Sequence, residues 1–277
     1  MLNQLIEVYR VKNWAKILGI SVIGLLLGVG TAATIFFIVG IIQSILLLSF
    51  LFVTDDINDF LVEKRKKYIG SLIVKKKINL RTALLFLLVP LIVSLFIAVA
   101  FFSEIYFSLY LLFLFFALTY SLPKVRMGDK PFVDAIYDVI LFSLIFLQSL
   151  FFANSEFTVA SLFFLVWFAL YTFALELIHQ LDHYKIDIAS TAKHLGIGKS
   201  IAFVRATFFA SVLTALVFVY RFPSTGLLAL VMLSFAFFRL VYSRKFSTKT
   251  NFGKIRNLLG GWIEGFIYIL LILLRLY

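Results

Sequence analysis

An all-α fold, a polytopic bundle of nine transmembrane helices in a single domain over residues 1–277, is what this sequence predicts. Three observations carry the prediction. Hydrophobic residues make up 62% of the chain and charged residues 14%, whereas a soluble domain is nearer 45–50% apolar and about 25% charged. Nine apolar segments approach the ~20 residues that an α-helix needs to cross a bilayer. The basic residues fall almost wholly in alternate connections between those segments.

The segments run over residues 14–29, 32–53, 80–101, 104–122, 132–153, 157–178, 200–220, 224–242 and 257–276. Gly28-Val29-Gly30, Pro123, Asn154-Ser155-Glu156 and Pro223-Ser224-Thr225-Gly226 mark breaks between them, because glycine and proline interrupt helical propagation. Of the 26 Lys and Arg residues, 24 lie before the first segment, at its start, in the 2–3, 4–5, 6–7 and 8–9 connections, or in the segment ends that border those connections, and only Arg221 and Arg275 fall elsewhere. Positive charge is retained on the cytoplasmic side. The expected product is therefore an integral membrane protein with a cytoplasmic N-terminus and an outside C-terminus, in the plasma membrane of a prokaryote. The net charge of +12 then reflects orientation in the membrane, not a nucleic-acid partner. Cysteine is absent, which excludes disulfides, thiolate metal sites and thiol nucleophiles.

Chemistry is expected where charge concentrates. Asp55, Asp56, Asp59 and Glu63 lie within nine residues, in a chain with 14 acids, and Lys64-Arg65-Lys66-Lys67 follows them. On an α-helix these acids share an arc of ~100°. Carboxylates gathered on one face repel unless a cation joins them, and hard oxygen ligands with room for phosphate suit Mg2+. A solvated, charged helix end is the plainer alternative.

A second concentration spans Leu175–Gly196 and holds all three histidines, His179, His183 and His194, with Glu176, Gln180, Asp182 and Asp187. Taken as helix, Glu176, His179, Gln180, His183 and Asp187 share ~100°, and Asp182 lies ~60° beyond His179. His179 and His183 have a zinc-compatible spacing, without the further ligands zinc needs. A polar helix end is one alternative; a second carboxylate site for a divalent cation, facing the first, is the expectation. Between the clusters lie Tyr120, Lys124, Arg126, Lys130, Asp134, Tyr137 and Asp138. The cations there are expected to hold a phosphate, and the acids to hold those cations. Asp134 and Asp138 enter a spanning segment, where an ionised group is costly and normally faces a polar cavity or a bundle-interior network.

Nine segments with an Asp-rich motif after the second and another after the sixth resemble the UbiA superfamily of intramembrane prenyltransferases, over nearly the whole chain. That family's first motif reads N-D-x-x-D-x-x-x-D. Here Asp55-Asp56-Ile57-Asn58-Asp59-Phe60-Leu61-Val62-Glu63 matches at two positions, with Asp for Asn and Glu for Asp at the others. The resemblance implies Asp56 and Asp59 as metal ligands, with Asp55 and Glu63 beside them. The family's Arg-Pro-Ile stretch is replaced by Ser71-Leu72-Ile73 and Val74-Lys75-Lys76-Lys77-Ile78. The second motif is similar to His179-Gln180-Leu181-Asp182 with Asp187 and Ser190-Thr191-Ala192, although its two Asp residues stand five apart instead of about four. Arg10-Val11-Lys12-Asn13-Trp14-Ala15-Lys16 resembles the start of a branch that includes phosphoribosyl transfer onto polyprenyl phosphate.

The fold expected from this resemblance is UbiA-like. The implied activity is Mg2+-dependent transfer of a polyprenyl group from its diphosphate to an aromatic or other lipid-precursor acceptor at the cytoplasmic face. Asp56, Asp59, Asp182 and Asp187 are the implied catalytic residues, and these four with Asp55 and Glu63 the metal ligands. Lys124, Arg126, Lys130, Tyr120, Tyr137, Asp134, His179, Gln180 and His183 are the implied substrate contacts. The expected partners are a polyprenyl diphosphate, its acceptor and membrane lipid. The alternatives are phosphoribosyl transfer onto polyprenyl phosphate, and a non-catalytic lipid-binding or transport protein.

Overall fold

The computed structural model describes residues 8–10, 14–29, 34–63, 68–101, 103–122, 125–127, 130–152, 156–184, 190–222 and 226–259, with 267 and 270. Regular structure among the described residues is entirely helical. The helices are α1 (Trp14–Val29), α2 (Thr34–Asn58), α3 (Tyr68–Val74), α4 (Leu80–Ala100), α5 (Glu104–Ser121), α6 (Val133–Phe151), α7 (Val159–Asp182), α8 (Thr191–Leu195), α9 (Ile197–Arg221), α10 (Gly226–Ser243) and α11 (Phe252–Leu259). A π-helical turn, Asp59–Glu63, continues α2.

Seven of these stretches are long and apolar enough to cross a membrane: Ile35–Val62 and the whole of α4, α5, α6, α7, α9 and α10. The expected first span forms α1, of 16 residues. The expected ninth lies outside the described residues except for its beginning and two single positions. Polar residues start the helices where the chain turns. Asn79, Ser103, Thr158 and Ser190 each accept a hydrogen bond from a backbone N–H in the first turn of α4, α5, α7 and α8, satisfying amides that have no intrahelical acceptor.

The backbone divides into two compact units. One comprises residues 1–127 and 144–156, the other residues 128–143 and 157–277. In the first unit, α2 packs on α1, α4 and α5. The buried positions of α4 are Ala83, Pro90, Ser94 and Ala98. These small side chains let neighbouring helices approach closely. The opposite side carries exposed Leu84, Leu85, Leu88, Val89, Ile92 and Phe96, a composition suited to lipid contact. Aromatic rings fill the end of the unit near the α4–α5 connection, where Phe101 lies 4.9 Å and Tyr106 5.4 Å from Phe152, centroid to centroid.

In the second unit, α9 packs on α7 and α10, and α11 lies on α7. The core is aromatic, with Phe164, Trp167, Phe168, Phe208 and Phe218 buried. Two arginines work structurally here. Arg205 donates to the carbonyls of Ser243, Arg244 and Phe246 at 3.1, 3.3 and 2.9 Å, capping the end of α10. Arg239 is buried, donates to the carbonyl of Leu259 at 3.3 Å, and lies 3.8 Å from the ring centre of Tyr171, so a π-face meets its charge.

Two glycines of the first unit give a contrasting test. A Cβ at Gly24 would lie 2.7 Å from the Phe146 carbonyl oxygen and 2.9 Å from the Ser149 Cβ, whereas one at Gly40 would meet only the Leu25 side chain. Backbone cannot step aside, and a leucine tip can. Gly24→Ala is expected to cost about 1–3 kcal/mol. Gly40→Ala is expected to stay within about 1 kcal/mol, because helix propensity offsets the repacking. Thermal unfolding of the detergent-purified variants checks this, and equal losses for both would contradict the packing account.

Candidate functional site

The acidic motif of the first unit sits where α2 gives way to its π-helical turn. Asp55 and Asp56 are in the last α-helical turn, and Asp59 opens the π segment. A π turn inserts extra backbone into a helix and is frequent at functional sites. The ~100° arc expected for the four acids assumes α-helical rotation throughout, so it does not extend across Asp59 to Glu63. The Glu63 side chain lies outside the described residues.

Two arginines close on these acids. Arg10 Nε donates to Asp56 Oδ2 at 3.3 Å, and Arg10 Nη2 contacts both Asp55 Oδ2, at 3.5 Å, and Asp56 Oδ1. The Ser121 hydroxyl approaches Asp55 Oδ1 at 3.5 Å. Arg126 Nη2 donates to Asp59 Oδ1 at 2.9 Å. Asp56 is only 3% exposed. A carboxylate so buried needs a cation or several donors to remain ionised, and Arg10 provides the cation. Both arginines have left-handed backbones, with φ +49° at Arg10 and +31° at Arg126, a conformation that costs L-residues roughly 1–2 kcal/mol. Arg126 was expected from the sequence as a phosphate contact. Arg10 was expected only as a topological charge and part of an N-terminal resemblance. It stands 46 residues from Asp56 in the chain, a separation to which helical spacing is blind.

In the second unit, Asp134 accepts from several neutral donors. It is 5% exposed, at the start of α6. Its Oδ1 accepts from Thr191 Oγ1 and from the Ala135 amide, both at 2.6 Å. Its Oδ2 accepts from Gln180 Nε2 at 2.9 Å and the Thr191 amide at 3.4 Å. Gln180 Nε2 also reaches Glu176 Oε1 at 3.2 Å, and its Oε1 accepts from the Ala192 amide at 3.0 Å. Thr191 Oγ1 accepts from the Phe132 amide at 2.6 Å. The beginning of α6, the end of α7 and the beginning of α8 are thereby tied together. Gln180 and Asp134, both expected as substrate contacts, meet each other here. Thr191, visible in the sequence only as part of a motif match, is the residue that joins them.

Helix α7 ends at Asp182, and His183 is its C-cap. The arc expected for the second cluster therefore stops short, and Asp187 falls outside the described residues. The Asp182 carboxylate rests on α11. A Cβ at Gly253 would lie 2.8 Å from its Oδ1, so the absence of a side chain at 253 makes room for it, at the end of a helix dipole that favours an anion. His179 and His183 stack edge to face, 4.7 Å between centroids. Arg256 Nη1 contacts His179 Nδ1. A guanidinium only donates, so Nδ1 is the acceptor in this contact. Tyr120 and Tyr137 are half-buried in α5 and α6, Lys130 is exposed, and Lys124 lies outside the described residues.

Among the described residues, no three His, Asp or Glu side chains are grouped to enclose a metal ion. The donor chemistry of the first motif nevertheless suits Mg2+. Oxygens of Asp55 and Asp56 converge on one cationic nitrogen, Arg10 Nη2, so a cation position exists between them. Mg2+ is held typically by one or two carboxylates, with phosphate and water completing its shell.

These features define a polytopic membrane protein in which the acidic end of one spanning helix is matched to arginines. The chain belongs to the UbiA prenyltransferase family, whose model matches residues 17–269. Its fold is similar to that of a UbiA homologue from Archaeoglobus fulgidus bound to GPP and Mg2+, with TM-score 0.73, 18% identity, and coverage of 96% of this chain and 99% of that one. It is also similar to a digeranylgeranylglyceryl phosphate synthase, with TM-score 0.70, 15% identity and coverage of 95% of each chain. A UbiA homologue from Aeropyrum pernix K1 gives TM-score 0.64 and 17% identity over 91% of this chain and 97% of that one. No curated protein sequence matches the chain.

The Asp134 network yields a stability test. Thr191→Val keeps the shape of the side chain, removes a donor to Asp134 and leaves the Phe132 amide without its acceptor. A loss of about 1–3 kcal/mol is expected, with recovery of most of it in Thr191→Ser. Chemical unfolding of the two variants checks the pair, and a neutral Thr191→Val would refute the network.

Proposed function

We propose that the protein transfers a polyprenyl group from a polyprenyl diphosphate to an aromatic or other lipid-precursor acceptor at the cytoplasmic face of the membrane, with Mg2+. The observation that carries this reading is the convergence of Asp55 and Asp56 on a single cationic position, in a chain of the UbiA prenyltransferase family. The bound GPP and Mg2+ of the Archaeoglobus fulgidus homologue support the substrate class. The cytoplasmic assignment rests on the distribution of Lys and Arg, because basic residues are retained on that side.

Asp55, Asp56 and Asp59 would hold Mg2+ in the first motif, with Glu63 beside them, and Asp182 and Asp187 are assigned the same task in the second. When bound, Mg2+ neutralises charge that develops on the departing pyrophosphate. The chain's own residues do the rest. Arg10 and Arg126, which contact these carboxylates, would donate to phosphate oxygens of the bound diphosphate, since a guanidinium can offer two parallel hydrogen bonds. Lys124 and the Tyr120 hydroxyl are assigned to substrate phosphate in the first unit, and Lys130 and the Tyr137 hydroxyl are assigned as substrate contacts in the second. Asp134 and Gln180 act as positioning residues that keep α6, α7 and α8 in register. His179 and His183 are assigned as substrate contacts, with Arg256 in contact with His179.

A second reading has a specific observation behind it. Arg10 belongs to the N-terminal stretch that resembles enzymes of phosphoribosyl transfer onto polyprenyl phosphate, and it lies on Asp55 and Asp56. In that reading the same carboxylates and arginines would handle the diphosphate of an activated phosphoribose.

Purified protein is expected to release pyrophosphate and form a labelled lipid when given Mg2+, a radiolabelled prenyl diphosphate and a membrane lipid extract. Asp56→Ala and Asp59→Ala should each lower the rate by about 10²-fold or more. Chelation of Mg2+ should abolish turnover. If no prenyl diphosphate reacts and the Asp variants behave as the parent, the proposal fails. Turnover of phosphoribosyl diphosphate with polyprenyl phosphate in a parallel assay would establish the second reading instead.

A further inference from the structure

The connection between α3 and α4 holds a cavity of about 510 Å3, within the first unit, lined by Ile73, Lys76, Lys77, Ile78, Asn79, Leu80 and Thr82. Its polar groups are two ammonium ions, an amide and a hydroxyl. Its apolar groups are three aliphatic side chains. The turn that presents the lysines is well defined. The Lys76 amide donates to the Ile73 carbonyl and the Lys77 amide to the Leu72 carbonyl, both at 2.9 Å. Lys76 has a left-handed backbone, φ +53°, held by those bonds. Asn79 Oδ1 accepts from the Thr82 amide at 2.8 Å and from the Thr82 hydroxyl at 3.0 Å, which orders the opposite wall.

The surroundings add two properties. Residues 64–103 contain eight Lys or Arg residues and no acid, so the charges this stretch brings to the cavity are all positive. Leu80, Leu84, Leu85, Leu88, Val89 and Ile92 are exposed along the spanning helix that begins at the cavity. A ligand that suits both must join an anionic oxygen group to long apolar chains.

We propose that this cavity binds the headgroup phosphate of an anionic glycerophospholipid, with the acyl chains lying along the exposed face of α4. Lys76 and Lys77 supply the charge. The aliphatic lining accepts the glycerol and the first methylenes. The positive-inside distribution accounts for basic residues in this connection, but it does not require a cavity between them or an ordered turn that aims two of them together. The site is distinct from the carboxylates of the first motif and takes a lipid that is not consumed.

The test uses full-length protein in neutral detergent and dioctanoyl phosphatidylglycerol as the probe, with binding followed by native mass spectrometry and by thermophoresis. Phosphatidylglycerol is expected to bind at least about tenfold more tightly than dioctanoyl phosphatidylcholine or inorganic phosphate. Lys76→Gln/Lys77→Gln should weaken it by about tenfold or more, in line with the contribution of each lysine near an anionic surface. Lys245→Gln/Lys249→Gln, which removes the same charge from the α10–α11 connection, should change it less than twofold. Equal losses for the two double variants would overturn the proposal, since binding would then follow net charge and not this cavity. It is also overturned if inorganic phosphate binds as tightly as the lipid, or if a prenyl diphosphate displaces the lipid at equimolar concentration. Matched elution of parent and variants on size exclusion verifies that the comparison is between folded proteins.

Discussion

The acidic end of α2 depends on one ion pair, Arg10 with Asp56. Asp56 is almost completely buried, and an isolated carboxylate there would be heavily penalised. Arg10 offsets part of that penalty and contacts Asp55 with the same nitrogen. The left-handed backbone of Arg10 is a cost that the pair has to cover. A guanidinium suits the position better than an ammonium would, because its rigid fork can meet two carboxylates at once and it remains charged in a buried setting. The neighbouring pair, Arg126 with Asp59, repeats the arrangement, again from a left-handed residue.

Asp134 shows the other way to bury a carboxylate. Its partners are the Thr191 hydroxyl and amide, the Gln180 amide group and the Ala135 N–H. Two of these donors are main-chain N–H groups in the first turns of α6 and α8, and two are neutral side-chain groups from α7 and α8. The two kinds of burial differ in what meets the carboxylate, a guanidinium at Asp56 and Asp59 and neutral donors that join α6, α7 and α8 at Asp134.

Much of this was legible in the sequence, and the rest failed for identifiable reasons. Apolar length and Gly or Pro punctuation locate helices well, because a spanning helix must satisfy its backbone internally. The segments expected over 80–101, 104–122 and 132–153 correspond to α4, α5 and α6 within a few residues. The acidic motifs stand out because charge is rare in such a chain. What spacing arguments misjudge is the end of a helix. The arc drawn through Asp55 and Glu63 crosses a π turn, and the arc through Glu176 and Asp187 runs past the C-cap at His183. Arg10, Thr191, Gly253 and Arg256 were not assigned to a site because their partners are distant in the chain. Among them only Gly253 follows from a negative property, the lack of a Cβ against Asp182, and no single sequence displays that as a signal.

The left-handed residues connect these points. Four non-glycine residues among those described have positive φ: Arg10, Lys76, Arg126 and Phe132. Three are cations, and the fourth directs its amide to Thr191. Such backbones persist only where surrounding contacts over-determine them. At Arg10 and Arg126 the side-chain bond to a carboxylate is part of that determination. At Phe132 the restraint is a hydrogen bond from the main chain to the Thr191 hydroxyl. The same backbone feature thus accompanies an ion pair at the two arginines and a neutral hydrogen bond at Phe132. The difference lies in whether the partner is an ion or a dipole.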